Sequence, residues 1–143
     1  MATDRTANVT WRGSLMEGEG TIENVGSGAF GPLDVTWASR AEDPDGRTSP
    51  EELIAAAHAA CFSMALSHGL AQADMPADSL ETSATVTFVP GTGITAVALR
   101  VRGKVPGADE AGFVEAAEAA KAACPVSKAL ASVPEITLDA ALA

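Results

Sequence analysis

Hydrophobic and polar residues alternate near the start of the chain: Val9 and Trp11 with Thr10 and Arg12, then Leu33, Val35 and Trp37 with Asp34 and Thr36. A period of two marks strands with one face turned inward and one turned outward. With residues 21–23, which follow a glycine-rich turn, the pattern predicts three short antiparallel strands. The polar run over 41–47 then breaks the alternation and leads into a helix. Ser49 is its candidate N-cap, Pro50 occupies the first helical position, and Glu52 stands three residues after the cap as in a capping box. The helix is expected to run to about residue 71 or 73. Over 53–66 it is apolar or small on nearly every face, so it needs protein all round it, which a subunit of 143 residues cannot easily supply alone.

A hairpin follows. Ala84, Val86 and Phe88 alternate with Thr85 and Thr87, Pro90-Gly91-Thr92-Gly93 makes the turn, and Val97, Leu99 and Val101 alternate with Arg100, Arg102 and Lys104. The basic stripe reads as a solvated sheet face. Asp109 then caps a second helix in which Phe113, Ala117, Ala120 and Cys124 recur at helical spacing, directing Cys124 inward. Pro125 interrupts that helix and restarts a short one over 126–131, and Ile136 and Leu138 indicate a closing strand. The class is α+β in one domain spanning 1–143; no repeat or low-complexity linker divides it, and no glycine-rich phosphate loop points to parallel strand–helix–strand units.

Charge narrows the partners. Nineteen acidic against nine basic residues leave a net charge of −10, which opposes nucleic acid and anionic membrane surfaces. The N-terminus has no apolar secretory stretch, and the apolar segment 53–66 is too short to span a bilayer, so a soluble, cytoplasmic protein is expected. Two cysteines exclude a multi-bridge secreted framework; in a reducing compartment such a pair is buried or reactive.

Cys61 lies near the middle of the apolar helix among small neighbours, where it is either an inert core thiol or a nucleophile held ionised by a nearby cation. Cys124 precedes Pro125 and can serve as the N-cap of the short helix, where the dipole favours a thiolate. Local physics therefore makes Cys124 the easier thiolate unless the fold brings an arginine to Cys61. The alternative use of Cys61, Cys124, His58 and His68 as zinc ligands is disfavoured, because only His58 and Cys61 are closely spaced. The histidines read as satisfied polar residues at a helix surface or interface. Glu51 reads as a first-turn charge stabilised by the dipole. No Gly-x-Ser-x-Gly elbow supports a serine hydrolase.

The segment Thr-Ser-Pro-Glu-Glu-Leu-Ile-Ala-Ala-Ala-His-Ala-Ala-Cys-Phe-Ser-Met-Ala-Leu-Ser over 48–67, with Cys-Pro-Val-Ser-Lys-Ala-Leu over 124–130, strongly resembles the OsmC/Ohr family of thiol peroxidases, and its OsmC branch in particular. The likeness extends from Thr-Trp-Arg-Gly at 10–13 to Glu-Ile-Thr-Leu-Asp at 135–139. It implies antiparallel sheets wrapped around a long central helix in an intertwined homodimer, and reduction of organic hydroperoxides, with hydrogen peroxide reduced to varying degrees. By position, Cys61 resembles the peroxidatic cysteine, Cys124 the resolving cysteine, Glu51 the carboxylate that pairs with the active-site arginine, and Arg40 that arginine, with Arg12 and Arg47 as the alternatives. No flavin, haem or metal is implied, and the reductant is an external dithiol, a lipoylated protein in relatives. Phe62, Met64, Phe30 and Phe113 are the apolar residues expected around the thiol, favouring alkyl substrates. The competing reading is a non-catalytic, stress-related binding module of the same fold with incidental thiols.

One geometric expectation is independent of the family. Glu51 and Cys61 lie ten positions apart on one helix, about 15 Å of rise. If both contact one arginine, one of them comes from a second subunit.

Overall fold

Strand β1 (Ala7–Arg12) pairs antiparallel with β2 (Glu19–Val25), which pairs antiparallel with β3 (Leu33–Val35), in a computed structural model that describes residues 1–143. These strands belong to the first of two compact units, residues 1–53; the second comprises 54–143. In the first sheet Trp11 lies opposite Gly20, where a side chain would run into its ring and Val35. Trp37 does not extend β3 as the alternation suggested. It opens a short helix, α1 (Trp37–Ala41), because Thr36 and Ser39 close a capping box: the Thr36 hydroxyl accepts from the Ser39 N–H and the Ser39 hydroxyl accepts from the Thr36 N–H. Local capping here overrides a two-residue period.

Helix α2 (Pro50–Gln72) begins as its capping signals require, with the Ser49 hydroxyl accepting from the Glu52 N–H at 3.2 Å. Glu52 accepts from the Thr48 hydroxyl instead of closing the box on the Ser49 backbone. Beyond its first turn, where Glu51 is buried, its buried positions His58, Phe62, Leu66 and Leu70 fall every fourth residue and make one stripe. Ala56, Ala57, Ala60 and Met64 stay exposed, Met64 at 72%. One chain therefore covers one face of this helix and leaves the other bare. By length and composition alone α2 is long and apolar enough to cross a membrane, so the exclusion drawn from 53–66 does not hold on length.

The second unit adds β4 (Ser79–Val89), β5 (Gly93–Lys104), α3 (Glu110–Ala123), α4 (Pro125–Ala129) and β6 (Glu135–Leu142). The β4–β5 hairpin turns at Gly91 and Gly93, both at positive φ (82° and 115°), which side chains rarely adopt. Strand β5 is central in the order β4-β5-β6, and its Val97, Leu99 and Val101 are buried. Its outward Arg100 and Arg102 meet Asp139 of β6, Arg102 at 2.9 Å. The α+β class stands, but the sheet is mixed: β6 runs parallel to β5, joined to it through α3 and α4. A helical crossover returns the chain in the direction it left, so it yields a parallel neighbour without any phosphate loop.

Phe62, Leu66, Leu70, Leu99, Val101, Phe113, Ala117, Ala120 and Cys124 form one continuous core, with Cys61 packed against it. Gly103 is required there, since a β-carbon would enter the Phe113 ring. Replacing the fully buried Phe62 by Ala is expected to lower unfolding free energy by about 3–5 kcal/mol, read as a fall in the urea midpoint at unchanged m-value.

Candidate active site

The site residues expected from sequence occur as two pairs, one in each compact unit. In residues 1–53, Arg40 stands on α1 and Glu51 in the first turn of α2. The Arg40 Nε donates to both Glu51 carboxylate oxygens, at 2.9 and 3.1 Å, and Nη2 donates to Oε1 at 2.7 Å. The Glu51 side chain is only 7% exposed and that of Arg40 32%. A carboxylate so buried requires a charged, hydrogen-bonded partner, and a guanidinium supplies both in a fixed plane. The backbone holds the pair in place: the Ser39 hydroxyl donates to the Thr48 carbonyl at 2.8 Å, and Val35 bridges to Thr48, tying α1 to the segment that enters α2. Of the alternative arginines, Arg47 pairs with exposed Asp45, and Arg12 lies exposed on β1 opposite Glu19.

In residues 54–143 Cys61 packs against the core cluster that contains Cys124, and each thiol shifts the ionisation of the other. Burial first, and then the neighbouring Cys124 thiol, push the Cys61 thiol up, against the backbone of Val126. Burial also opposes ionisation of Cys124, but the neighbouring Cys61 thiol, the Ser127 backbone and hydroxyl and the Val126 backbone outweigh it, and its pKa falls. Cys124 occupies the N-cap of α4, where its side chain makes no capping hydrogen bond.

His58 is not at a surface. It is fully buried, with Nε2 2.7 Å from the Ser127 hydroxyl, and its Nδ1 has no partner. Sequence reasoning missed this contact, although Ser127 stands three residues after Cys124, the spacing of a capping box. His68 is exposed, and no group of three His, Cys, Asp or Glu side chains is arranged to hold a metal ion. Phe62 and Phe113 are core residues beside the thiols, whereas Met64 and Phe30 are exposed.

Residues 43–139 match the family model described as OsmC-like protein. The chain is 41% identical to peroxiredoxin OsmC of Escherichia coli (strain K12) over 142 residues, covering 97% of this chain and 96% of that one. The chain belongs to the OsmC family. Among solved structures it is similar to the organic hydroperoxide resistance protein OhrB of Bacillus subtilis, with 28% identity, a TM-score of 0.65 and coverage of 96% and 98%. An organic hydroperoxide resistance protein OsmC from Legionella pneumophila shares the fold at 22% identity, a TM-score of 0.70 and coverage of 95% and 96%.

Burial lowers the pKa of His58 below its ordinary value of 6.5. The unfolded chain then binds the extra proton first, so this contribution to stability is complete above about pH 6.5 and is lost as pH falls through the folded midpoint. NMR titration is expected to place the His58 midpoint below 6.5, and His58→Asn is expected to flatten the melting temperature's dependence on pH below that value.

Proposed function

We propose that this OsmC-family chain is a two-cysteine peroxidase that reduces organic hydroperoxides, with hydrogen peroxide as a smaller substrate of the same chemistry. The observation that carries this is a pair of free thiols, Cys61 packed against the core cluster that holds Cys124, in a chain 41% identical to a protein named peroxiredoxin. Cys61 is the peroxidatic residue. Its thiolate attacks the distal peroxide oxygen; an S–O bond forms, the O–O bond breaks, and the alkoxide leaves and takes a proton to become the alcohol. The Cys124 thiolate then attacks the sulfenic sulfur, an S–S bond forms, and hydroxide leaves and is protonated to water. An external dithiol, of the kind carried by a lipoylated protein, returns both thiols by exchange and is itself oxidised.

Because burial pushes the Cys61 thiol up, the first step needs a cation at that sulfur. Arg40 is that cation. Its guanidinium, held by Glu51, lowers the thiol pKa and donates to the peroxide oxygens as charge develops. We place Arg40 and Glu51 of one subunit at the partner subunit's Cys61. The ten-residue separation along α2 favours this, and the bare Ala56, Ala57, Ala60 and Met64 face offers a surface for a second copy. We read 1–143 as one domain of a soluble, cytoplasmic homodimer without nucleic acid or membrane partners, with the −10 charge as support.

Reduced protein treated with cumene hydroperoxide is expected to lose two thiols per chain with stoichiometric alcohol; absence of fast thiol loss would favour the binding-module reading. Cys61→Ser is expected to abolish turnover, and Cys124→Ser to react once and stall as sulfenic acid; the opposite pattern exchanges the two roles. Dissociating and remixing the inactive Cys61→Ser and Arg40→Met proteins is expected to restore part of the activity, because the mixed dimer contains one complete site only if arginine and thiol come from different subunits. A mixture that stays inactive places both on one chain.

A further inference from the structure

We infer that His58 and Ser127 are positioning residues whose hydrogen bond fastens α4 to α2 and so keeps Cys124 buried in the core on which Cys61 packs. Their role in turnover rests on the two-cysteine reading; the fastening itself does not. His58 lies on the buried stripe of α2, three residues before Cys61, and Ser127 lies in α4, three residues after Cys124. The His58 Nε2 and the Ser127 hydroxyl oxygen are 2.7 Å apart, across 69 positions of sequence.

Little else holds α4 in place. It is five residues long, and none of them is fully buried. A helix so short does not persist on its own bonds, so its position has to come from contacts with the rest of the fold. Val126 supplies one, as a partly buried side chain against the core. Backbone bonds stay within the segment: the N–H of Lys128 donates to the carbonyl of Cys124, that of Leu130 to Val126, that of Ala131 to Lys128 and that of Val133 to Leu130. Lys128 is in no ion pair. From residues 125–133, the Ser127–His58 contact is the one hydrogen bond that reaches a distant element.

The histidine makes this bond hard to lose. His58 is fully buried, and its Nδ1 has no hydrogen-bond partner. Ser127 is therefore all that satisfies the imidazole, whichever ring nitrogen carries the proton. Moving α4 away would leave a buried ring with neither nitrogen paired, which costs more than breaking a surface bond whose groups turn to water. The fastening also sits where it matters. Cys124 immediately precedes α4 and is fully buried in the cluster on which Cys61 packs. A disulfide needs its two Cα atoms within about 7 Å, so a segment free to swing would carry Cys124 out of range of Cys61.

The test begins without peroxide. In the full chain carrying Cys61→Ser, Cys124 is the one cysteine, and iodoacetamide reaches it only when α4 opens. The alkylation rate is expected to be nearly flat with urea below the unfolding transition, because local opening exposes little surface. Ser127→Ala is expected to raise that rate about tenfold, the effect of losing one hydrogen bond and stranding its buried partner. Ser127→Thr keeps the hydroxyl and is expected to return the rate to its starting value. In a His58→Phe background the same Ser127→Ala change is expected to do nothing further, since the bond it removes is already gone. Melting curves identify a variant that has lost its fold; if His58→Phe is one, the Ala and Thr variants at position 127 decide. Alkylation that climbs steeply with urea from the outset, a rate unmoved by Ser127→Ala, or Thr behaving as Ala overturns the inference. With both cysteines present, one equivalent of cumene hydroperoxide in the presence of dimedone is expected to leave a larger dimedone-trapped share of Cys61 in Ser127→Ala than in Ser127→Thr. Equal shares overturn the role in turnover. If alkylation behaves as expected while the protein ignores hydroperoxide, the fastening stands and the peroxidase reading falls.

Discussion

Two thiols that each shift the other's ionisation set the chemical problem this molecule has to solve. Ionising one raises the cost of ionising the other, so the pair behaves as a unit with an acidic and a basic member. Their positions on the backbone are unequal. Cys61 is mid-helix, where N–H groups are already spent on the helical ladder, whereas Cys124 stands at the N-cap of α4. Within residues 54–143 the surroundings ease ionisation of Cys124 and oppose that of Cys61. In the proposed two-cysteine reading, ionising Cys61 takes a positive charge from elsewhere.

The charged pair in residues 1–53 is built for stiffness. Glu51 is buried, and a buried carboxylate demands a partner that satisfies both charge and lone pairs. Arg40 answers with Nε and Nη2 together, which fixes the guanidinium plane as a single contact would not. The Thr36–Ser39 box and the Ser39–Thr48 bond hold the two helices that carry the pair. A lysine could offer the charge but not the plane. Preorganisation of this kind lets a donor meet developing charge without reorganising at the moment of reaction.

Much of this is legible in the residues. Ser49, Pro50 and Glu52 announce α2, and helical spacing from Phe113 to Cys124 turns Cys124 inward, because capping and periodicity act over a few residues and need no tertiary context. The alternation of β4 and β5 is equally plain. Trp37 shows the limit: its place in a two-residue period suits a strand, but the capping box from Thr36 to Ser39 makes it a helix start. The parallel pairing of β6 is invisible locally, since a strand's own residues do not record the direction of its neighbour.

Sequence by itself determined the elements, the inward aim of Cys124, the apolarity of α2 and the negative charge, all properties of short windows or of simple sums. Tertiary structure decided which distant groups touch: Arg40 with Glu51, Cys61 with the core cluster that holds Cys124, and His58 with Ser127, sixty-nine positions away. It also decided that α2, apolar on most faces, buries one stripe and leaves Ala56, Ala57, Ala60 and Met64 bare. Hydrogen bonds and ion pairs form between side chains at fixed distances and angles, and those are set only when the chain has chosen which faces to bury.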